Sequence, residues 1–317
     1  MRDRLAPKII IILGPTATGK SELAISIAPR CNCEIISADS MQVYRGMDIG
    51  SAKVSAAQRS LVPHHLIDIR EPEQPFSVAE FRKLAGEAIG DIIGRGHLPL
   101  ICGGSGLYLN SLIAPYNFSA DSAADARIRE RLSAEFAVDG GAAMHTRLAA
   151  VDPQAAAKIS VNDSRRLIRA LEVYESTGRP ISELRKSSEA PPWRPLIIGL
   201  VAERQILYRR IEQRVDAMLA QGLVAEVESL LARGVPRDAI SMQGLGYKQI
   251  AAHLAGEISL MQAVDLIKRD TRRFAKRQIT WFKRDARICW FSIDQYLEEG
   301  ELVDAVSFRI AHMLEEA

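Results

Sequence analysis

Between the apolar run Ile9–Leu13 and the helical pattern beginning near Ser21 stands Gly14-Pro15-Thr16-Ala17-Thr18-Gly19-Lys20-Ser21. The spacing is G-x-x-x-x-G-K-[ST], in the strand–loop–helix setting that this pattern requires. Its chemistry follows from the residue types. The glycines let the backbone curl, so that successive N–H groups turn inward onto phosphate oxygens. The following helix adds the positive end of its dipole. Lys20 supplies a mobile cation, and the Ser21 hydroxyl can ligate Mg²⁺. The loop is expected to bind phosphate; it does not by itself choose the phosphate compound.

Other residues carry chemistry with an alternative beside it. Asp39 ends the segment Ile36-Ser37-Ala38-Asp39 at the expected carboxyl edge of a parallel sheet, where open α/β folds bind ligands. A proton acceptor, a helix N-cap and a water-mediated Mg²⁺ ligand all fit it. Ser105 lies in Gly103-Gly104-Ser105-Gly106, and glycines crowded around one hydroxyl suit a closely approaching ligand; an ordinary turn serine or N-cap is the plain alternative. Arg214 is a polar-face residue on a helix whose apolar face is Ile211, Val215, Met218 and Leu219. From Asp265 to Arg287 nine Lys/Arg stand against three Asp, interleaved with Phe274, Trp281 and Phe282. Helical spacing groups Arg269, Arg272 or Arg273, Lys276 and Lys283, which fits a solvated face or contact with a nucleic-acid backbone. His64 and His65 have no Cys or carboxylate at ligand spacing and read as structural. Cys31 and Cys33 lack the partner pair of a zinc site.

The elements that must position these residues alternate in type. Ile9–Leu13, Glu34–Ser37, Leu66–Ile69 and Leu98–Cys102 read as strands, and Ser21–Ala28 as the helix after the phosphate loop. A capping box at Ser77-Val78-Ala79-Glu80 opens a helix ending near Gly94–Gly96. This alternation implies a parallel sheet covered on both faces. From about Pro115 to Pro195 the periodicity is helical, clearest over Asp125–Phe136 and Ser164–Thr177. A strand returns at Leu196–Val201. Helices follow over 204–221, 223–233, 247–255 and 259–284, then a strand over Ile288–Ile293 and a last helix.

The chain of 317 residues is 47 % apolar and 25 % charged, the balance of a globular protein. Its formal net charge of +2 does not argue for a nucleic-acid partner; the local excess at 265–287 does. Four cysteines (Cys31, Cys33, Cys102, Cys289) make no disulfide framework and read as reduced thiols. No apolar run approaches the ~20 residues that span a bilayer, so a cytoplasmic protein with no membrane association is expected. No long exposed apolar stripe argues for a dimer.

Several further blocks act together. The run Ile36-Ser37-Ala38-Asp39-Ser40-Met41-Gln42-Val43-Tyr44-Arg45-Gly46-Met47-Asp48-Ile49-Gly50 resembles the second signature of tRNA dimethylallyltransferases, also called tRNA isopentenyltransferases. Gly103-Gly104-Ser105-Gly106-Leu107-Tyr108, Asn162-Asp163 with Arg166, and Arg169-Ala170-Leu171-Glu172-Val173 are similar to further blocks of the family. So are Gly246-Tyr247-Lys248, Thr271-Arg272-Arg273-Phe274-Ala275-Lys276-Arg277-Gln278 and Thr280-Trp281-Phe282. They occur in the family's order and cover residues from about 9 to 285.

The resemblance implies a fold and an activity. The fold is α/β: a P-loop-type parallel sheet with helices on both faces and a helical insertion. Residues 1–114 and 196–317 would be the catalytic domain, and 115–195 an insertion gripping the anticodon arm of tRNA. The activity is transfer of a dimethylallyl group from dimethylallyl diphosphate to the exocyclic N6 of the adenosine 3′-adjacent to the anticodon, with Mg²⁺ as cofactor. A monomer without an obligate protein partner is expected. Gly14, Pro15, Thr16, Ala17, Thr18, Gly19, Lys20 and Ser21, with Arg214, would hold the diphosphate. Asp39, Ser40, Met41 and Gln42 would surround the target adenosine, Asp39 as base and Ser105 beside it. Arg129, Arg165, Arg166, Leu167, Ile168, Arg169, Gln243, Gly244, Leu245, Gly246, Tyr247 and Lys248 would contact tRNA, and Arg272 and Lys276 its backbone. Ser105 stands where the family usually has Thr; the hydroxyl survives. Two other activities fit the phosphate loop alone: a small-molecule kinase with Arg165, Arg166 and Arg169 as a lid, and a nucleotide-gated RNA-binding switch.

Overall fold

The computed structural model describes residues 6–114, 125–184, 191–296 and 298–315. The chain divides into two compact units, Met1–Asn110 with Pro192–Ala317, and Ser111–Pro191. Residues 115–124 and 185–190 of the expected insertion lie outside the described residues.

In the first unit β1 (Lys8–Leu13) carries Ile9-Ile10-Ile11-Ile12, all fully buried. β-branched side chains are stiff at χ1 and suit a pleated surface covered on both faces. The chain continues through α1 (Lys20–Ile27), β2 (Cys33–Ser37), α2 (Ala56–Leu61), β3 (His64–His65), α3 (Val78–Gly94), β4 (Leu98–Gly103) and α4 (Gly106–Ile113). The second unit holds α5 (Ala126–Val151), α6 (Pro153–Ala156), α7 (Ser164–Thr177) and α8 (Ile181–Leu184). The chain then returns through β5 (Arg194–Val201), α9 (Arg204–Ala220), α10 (Leu223–Ala232), a 3₁₀ turn at Ser241–Gln243, α11 (Tyr247–Leu254), α12 (Leu260–Phe282), β6 (Cys289–Ser292) and α13 (Glu299–Glu315).

The six strands form one sheet in the order β3-β2-β4-β1-β5-β6, every pair parallel. Leu13 lies level with Gly103 and with Gly199, and Ser37 with Cys102. The loops after β1, β2 and β4 therefore leave from one carboxyl edge at nearly the same height. One core packs Ile10, Ile12, Leu100 and Ile198 against Leu23 and Ile27 of α1 and Val306 and Ile310 of α13. The second unit has its own core, with Leu132, Leu148, Leu167 and Leu171 buried together.

Two expectations are corrected. The strand read at Leu66–Ile69 is confined to His64–His65, because Leu66 (φ 62°) and Asp68 (φ 56°) turn left-handed. There the backbone instead pairs with the 42–43 loop: Asp68 N–H donates to Gln42 C=O, and Ile69 N–H to Val43 C=O. Lys53 and Arg59 hold the Asp68 carboxylate in that turn. The helix read over Asp125–Phe136 runs on to Val151, interrupted at Gly140 (φ 77°).

Candidate functional site

The phosphate loop follows β1 directly, and its shape depends on residues without a Cβ. Gly14 has φ +153°, and a Cβ there would meet Leu200 O at 2.5 Å; Gly19 has φ +81°. Thr18 Oγ1 and Lys20 Nζ both donate to Pro15 C=O, at 2.8 and 2.7 Å, which draws the loop around its own carbonyl. Ala17, also left-handed at φ 65°, packs with Leu207 and Ile211 of α9 and Ala275 of α12.

That packing brings α9 against the loop, with Arg214 part-buried beside it while Arg204 and Arg209 stay exposed. Arg214 lies close enough to Lys20 for their like charges to interact, and Glu22 and Asp39 are the acidic counterweights. Desolvation lowers Lys20 to about 8, and Arg214 pushes it the same way. The Arg210 guanidinium also approaches: its Nη2 lies 3.7 Å from where a Cβ of Gly19 would stand. Burial pushes the neighbouring Cys102 thiol up to about 12, an inert sulfur.

The loop after β2 carries Asp39. Ala38 N–H donates to Cys102 C=O, and Ser105 N–H to Ala38 C=O, so the β2 and β4 loops are stitched together. A Cβ on Gly103 would collide with the Ala38 carbonyl, which accounts for that glycine. Ser105 Oγ accepts from Ser40 N–H at 3.2 Å, and Asp39 Oδ1 from Met41 N–H at 2.8 Å. Asp39 Oδ2 accepts no hydrogen bond from the described residues. Gln42 is buried, bonded to the Ser37 hydroxyl and to Ala52 C=O, so it braces the loop from beneath. Met41 packs on Gly244, joining this loop to the Gln243–Lys248 block.

Within that block Gln243 and Lys248 are exposed, while Tyr247 is fully buried, its hydroxyl donating to Glu226 Oε1 at 2.7 Å. Tyr247 therefore shapes its surroundings from inside. Glu226 of α10 also accepts from three successive N–H groups, Asp48 at 2.9 Å, Ile49 at 2.8 Å and Gly50 at 3.1 Å. Sequence reading missed Glu226 and left Gln278 of α12 without a role. Gln278 lies inside a quoted block; Glu226 gives no local signal, being one acid on an amphipathic helix.

On α12, Arg272 pairs with Glu212 at 2.7 Å and Lys268 with Asp216 at 2.6 Å. Lys276 and Arg277 are exposed and have no acidic partner among the described residues. In the second unit, Arg129 and Arg169 converge on Glu172, a carboxylate with no exposed surface, at 3.0 and 2.8 Å. Arg165 and Arg166 are exposed, Arg166 resting on Asp163; Leu167 belongs to the core and Ile168 packs on it.

Among the described residues no three His, Cys, Asp or Glu side chains converge as a protein-built metal centre. What the loop offers a cation is hard oxygen, the Ser21 hydroxyl with the Asp39 carboxylate near. That set fits Mg²⁺, which takes one or two protein ligands and completes its shell with phosphate oxygens and water.

Comparison with known proteins gives a consistent result. The IPP transferase family model matches residues 42–285, and an isopentenyl transferase model matches 7–67. The chain is 51 % identical over 290 residues to a tRNA dimethylallyltransferase of Desulforudis audaxviator, covering 91 % of this chain and 93 % of that one. It is 52 % identical over 302 residues to one from Thermoanaerobacter sp. (strain X514), covering 94 % and 96 %. Among solved structures, a tRNA isopentenylpyrophosphate transferase from Bacillus halodurans superposes with TM-score 0.71 at 43 % identity over 98 % of this chain and 97 % of that one. A eukaryotic dimethylallyltransferase, described as acting on tRNA, superposes with TM-score 0.78 at 28 % identity over 90 % and 74 %.

Proposed function

The chain belongs to the IPP transferase family, and on that premise we propose how its residues transfer a dimethylallyl group to tRNA. The acceptor is the exocyclic N6 of the adenosine 3′-adjacent to the anticodon, and the products are N6-(dimethylallyl)adenosine and diphosphate. One observation carries the residue assignment: the phosphate loop, Asp39 and Arg214 meet at a single carboxyl edge of the sheet, within electrostatic reach of one another.

The donor is dimethylallyl diphosphate, its diphosphate on the N–H groups of Gly14–Ser21 with Lys20 and Arg214 alongside. The N6 lone pair attacks the allylic carbon, and the carbon–oxygen bond to diphosphate breaks. Negative charge grows on the departing oxygens, where fixed cations and N–H dipoles stabilise it most. The proton displaced from N6 passes to the Asp39 carboxylate, whose Oδ2 faces no competing donor among the described residues. Ser105, bonded to Ser40 N–H, keeps the Asp39 loop in place. Ser21 would hold Mg²⁺ against the diphosphate, where it would neutralise phosphate charge. An adenine must leave its stack to reach this edge, which an unpaired anticodon loop permits at low cost.

Residues 1–114 and 196–317 act as the catalytic domain and 115–195 as the part that grips the anticodon arm, through Arg129, Arg165, Arg166 and Arg169. Gln243, Lys248, Arg272 and Lys276 add contacts from the catalytic domain. No helix among the described residues is long and apolar enough to cross a membrane, and the protein works as a cytoplasmic monomer. Incubation with bulk tRNA, dimethylallyl diphosphate and Mg²⁺, followed by mass analysis of nucleosides, tests the reading. A five-carbon gain on adenosine supports it; ATP turnover without RNA modification overturns it.

A further inference from the structure

Gln278 lies on α12, is 7 % exposed, and makes two hydrogen bonds that join separate loops. Its Oε1 accepts from Thr16 N–H in the phosphate loop at 3.0 Å, and its Nε2 donates to Gly104 C=O at 2.8 Å. A Cβ on Gly104 would collide with the same amide, so that glycine is the space into which Gln278 fits. Only an uncharged group offering one acceptor and one donor from a single plane satisfies both loops. The Gly104 loop carries Ser105, which holds Ser40 N–H beside Asp39. One buried amide thus ties the donor cradle to the loop that aims the base. The helix bearing it presents Lys276 and Arg277, two residues and one residue away, as exposed cations without an acidic partner among the described residues.

We propose that Gln278 is a positioning residue that couples RNA engagement by the outer face of α12 to the geometry of the diphosphate cradle. The RNA half of this rests on the function proposed above; the cradle half rests on the two hydrogen bonds. A nucleic acid that draws Lys276 and Arg277 into one position also fixes the helix turn holding Gln278. Thr16 N–H and Gly104 C=O are then held in the arrangement that receives diphosphate. Such coupling is reciprocal, and its usual size is about 5- to 150-fold in affinity.

The test uses the full chain, inorganic diphosphate with Mg²⁺ as one probe, and an anticodon stem–loop RNA as the other. In the wild type, saturating RNA should raise diphosphate affinity at least fivefold. Gln278→Met keeps the volume and removes both hydrogen bonds. It should weaken diphosphate binding about tenfold in the presence of RNA, reduce the RNA enhancement below twofold, and leave RNA affinity alone within twofold. A merely structural role would lower diphosphate affinity by the same factor with and without RNA, and that result overturns the proposal. So does an enhancement that survives intact in the variant. Gly104→Ala enters the same joint from the other side and should also lose the enhancement; it decides the question if circular dichroism finds Gln278→Met unfolded. A wild-type chain that transfers no prenyl group to RNA, while the enhancement and its loss are both seen, removes the proposed function and leaves the coupling standing.

Discussion

Asp39→Asn keeps the oxygen that Met41 N–H needs and replaces the other with an amide that cannot take a proton. General-base catalysis is typically worth about 10²- to 10⁴-fold. The expected result is a fall in kcat of that order, with RNA and donor affinities little changed, measured in single-turnover prenylation at saturating RNA. Rescue by extra Mg²⁺ would make Asp39 a metal-site residue instead. Lys20 gives a pH prediction. Burial lowers its pKa to about 8, and on the proposed function the ammonium would be the form that binds diphosphate. Once the titration of the diphosphate itself is accounted for, the Lys20 contribution to affinity should fall as pH rises through that value, by at most about tenfold per unit. Near pH 8 binding should take up protons, which calorimetry in buffers of different ionisation enthalpy measures. The cradle was legible in the sequence because eight consecutive residues define it. Glu226 and Gln278 were not, since their partners are Asp48–Gly50 and Thr16, far away along the chain and near only after folding.

Among the elements, α12 should bear on RNA in a graded way if the proposed function holds. Lys276→Ala should reduce the slope of log K against log salt by about one. Arg272→Ala should change it less, because Glu212 already neutralises that guanidinium. Equal and unchanged slopes would return the helix to a solvated face. At the α10–α11 joint, a Cβ on Gly50 would stand 2.6 Å from the Tyr247 ring. Overpacking of a buried aromatic costs about 1–3 kcal/mol, so Gly50→Ala should lower the thermal midpoint without touching the cradle. Most helices were readable from caps and period: the Ser77 box opens α3, and Gly178 in the left-handed conformation closes α7. The segment Leu66–Ile69 was misread because its apolar residues pack from a left-handed turn, which hydropathy does not distinguish from a strand. The short α2 went unnoticed although Ser55 and Gln58 form a capping box, because no residue of it is buried to give a period.

For the molecule as a whole, the two units offer separate optical reporters. All three tryptophans, Trp193, Trp281 and Trp290, fall in the unit that contains the sheet, while the unit Ser111–Pro191 has helices and its own core but no tryptophan. In urea, tryptophan emission and far-ultraviolet circular dichroism should give transitions that do not coincide, the usual sign that unfolding is not two-state. Superimposable curves would mean one cooperative unit. The strand order carries a different consequence, for synthesis. β1 is central, yet its neighbour β5 begins only at Arg194, beyond the whole second unit. On the ribosome, a nascent chain must carry four consecutive isoleucines with one backbone edge unpaired until β5 emerges, a hazard for sticking to other chains. Thr16 waits longer still for Gln278. A chain stalled anywhere between them holds a complete phosphate-loop sequence without the amide that fastens it to its neighbour.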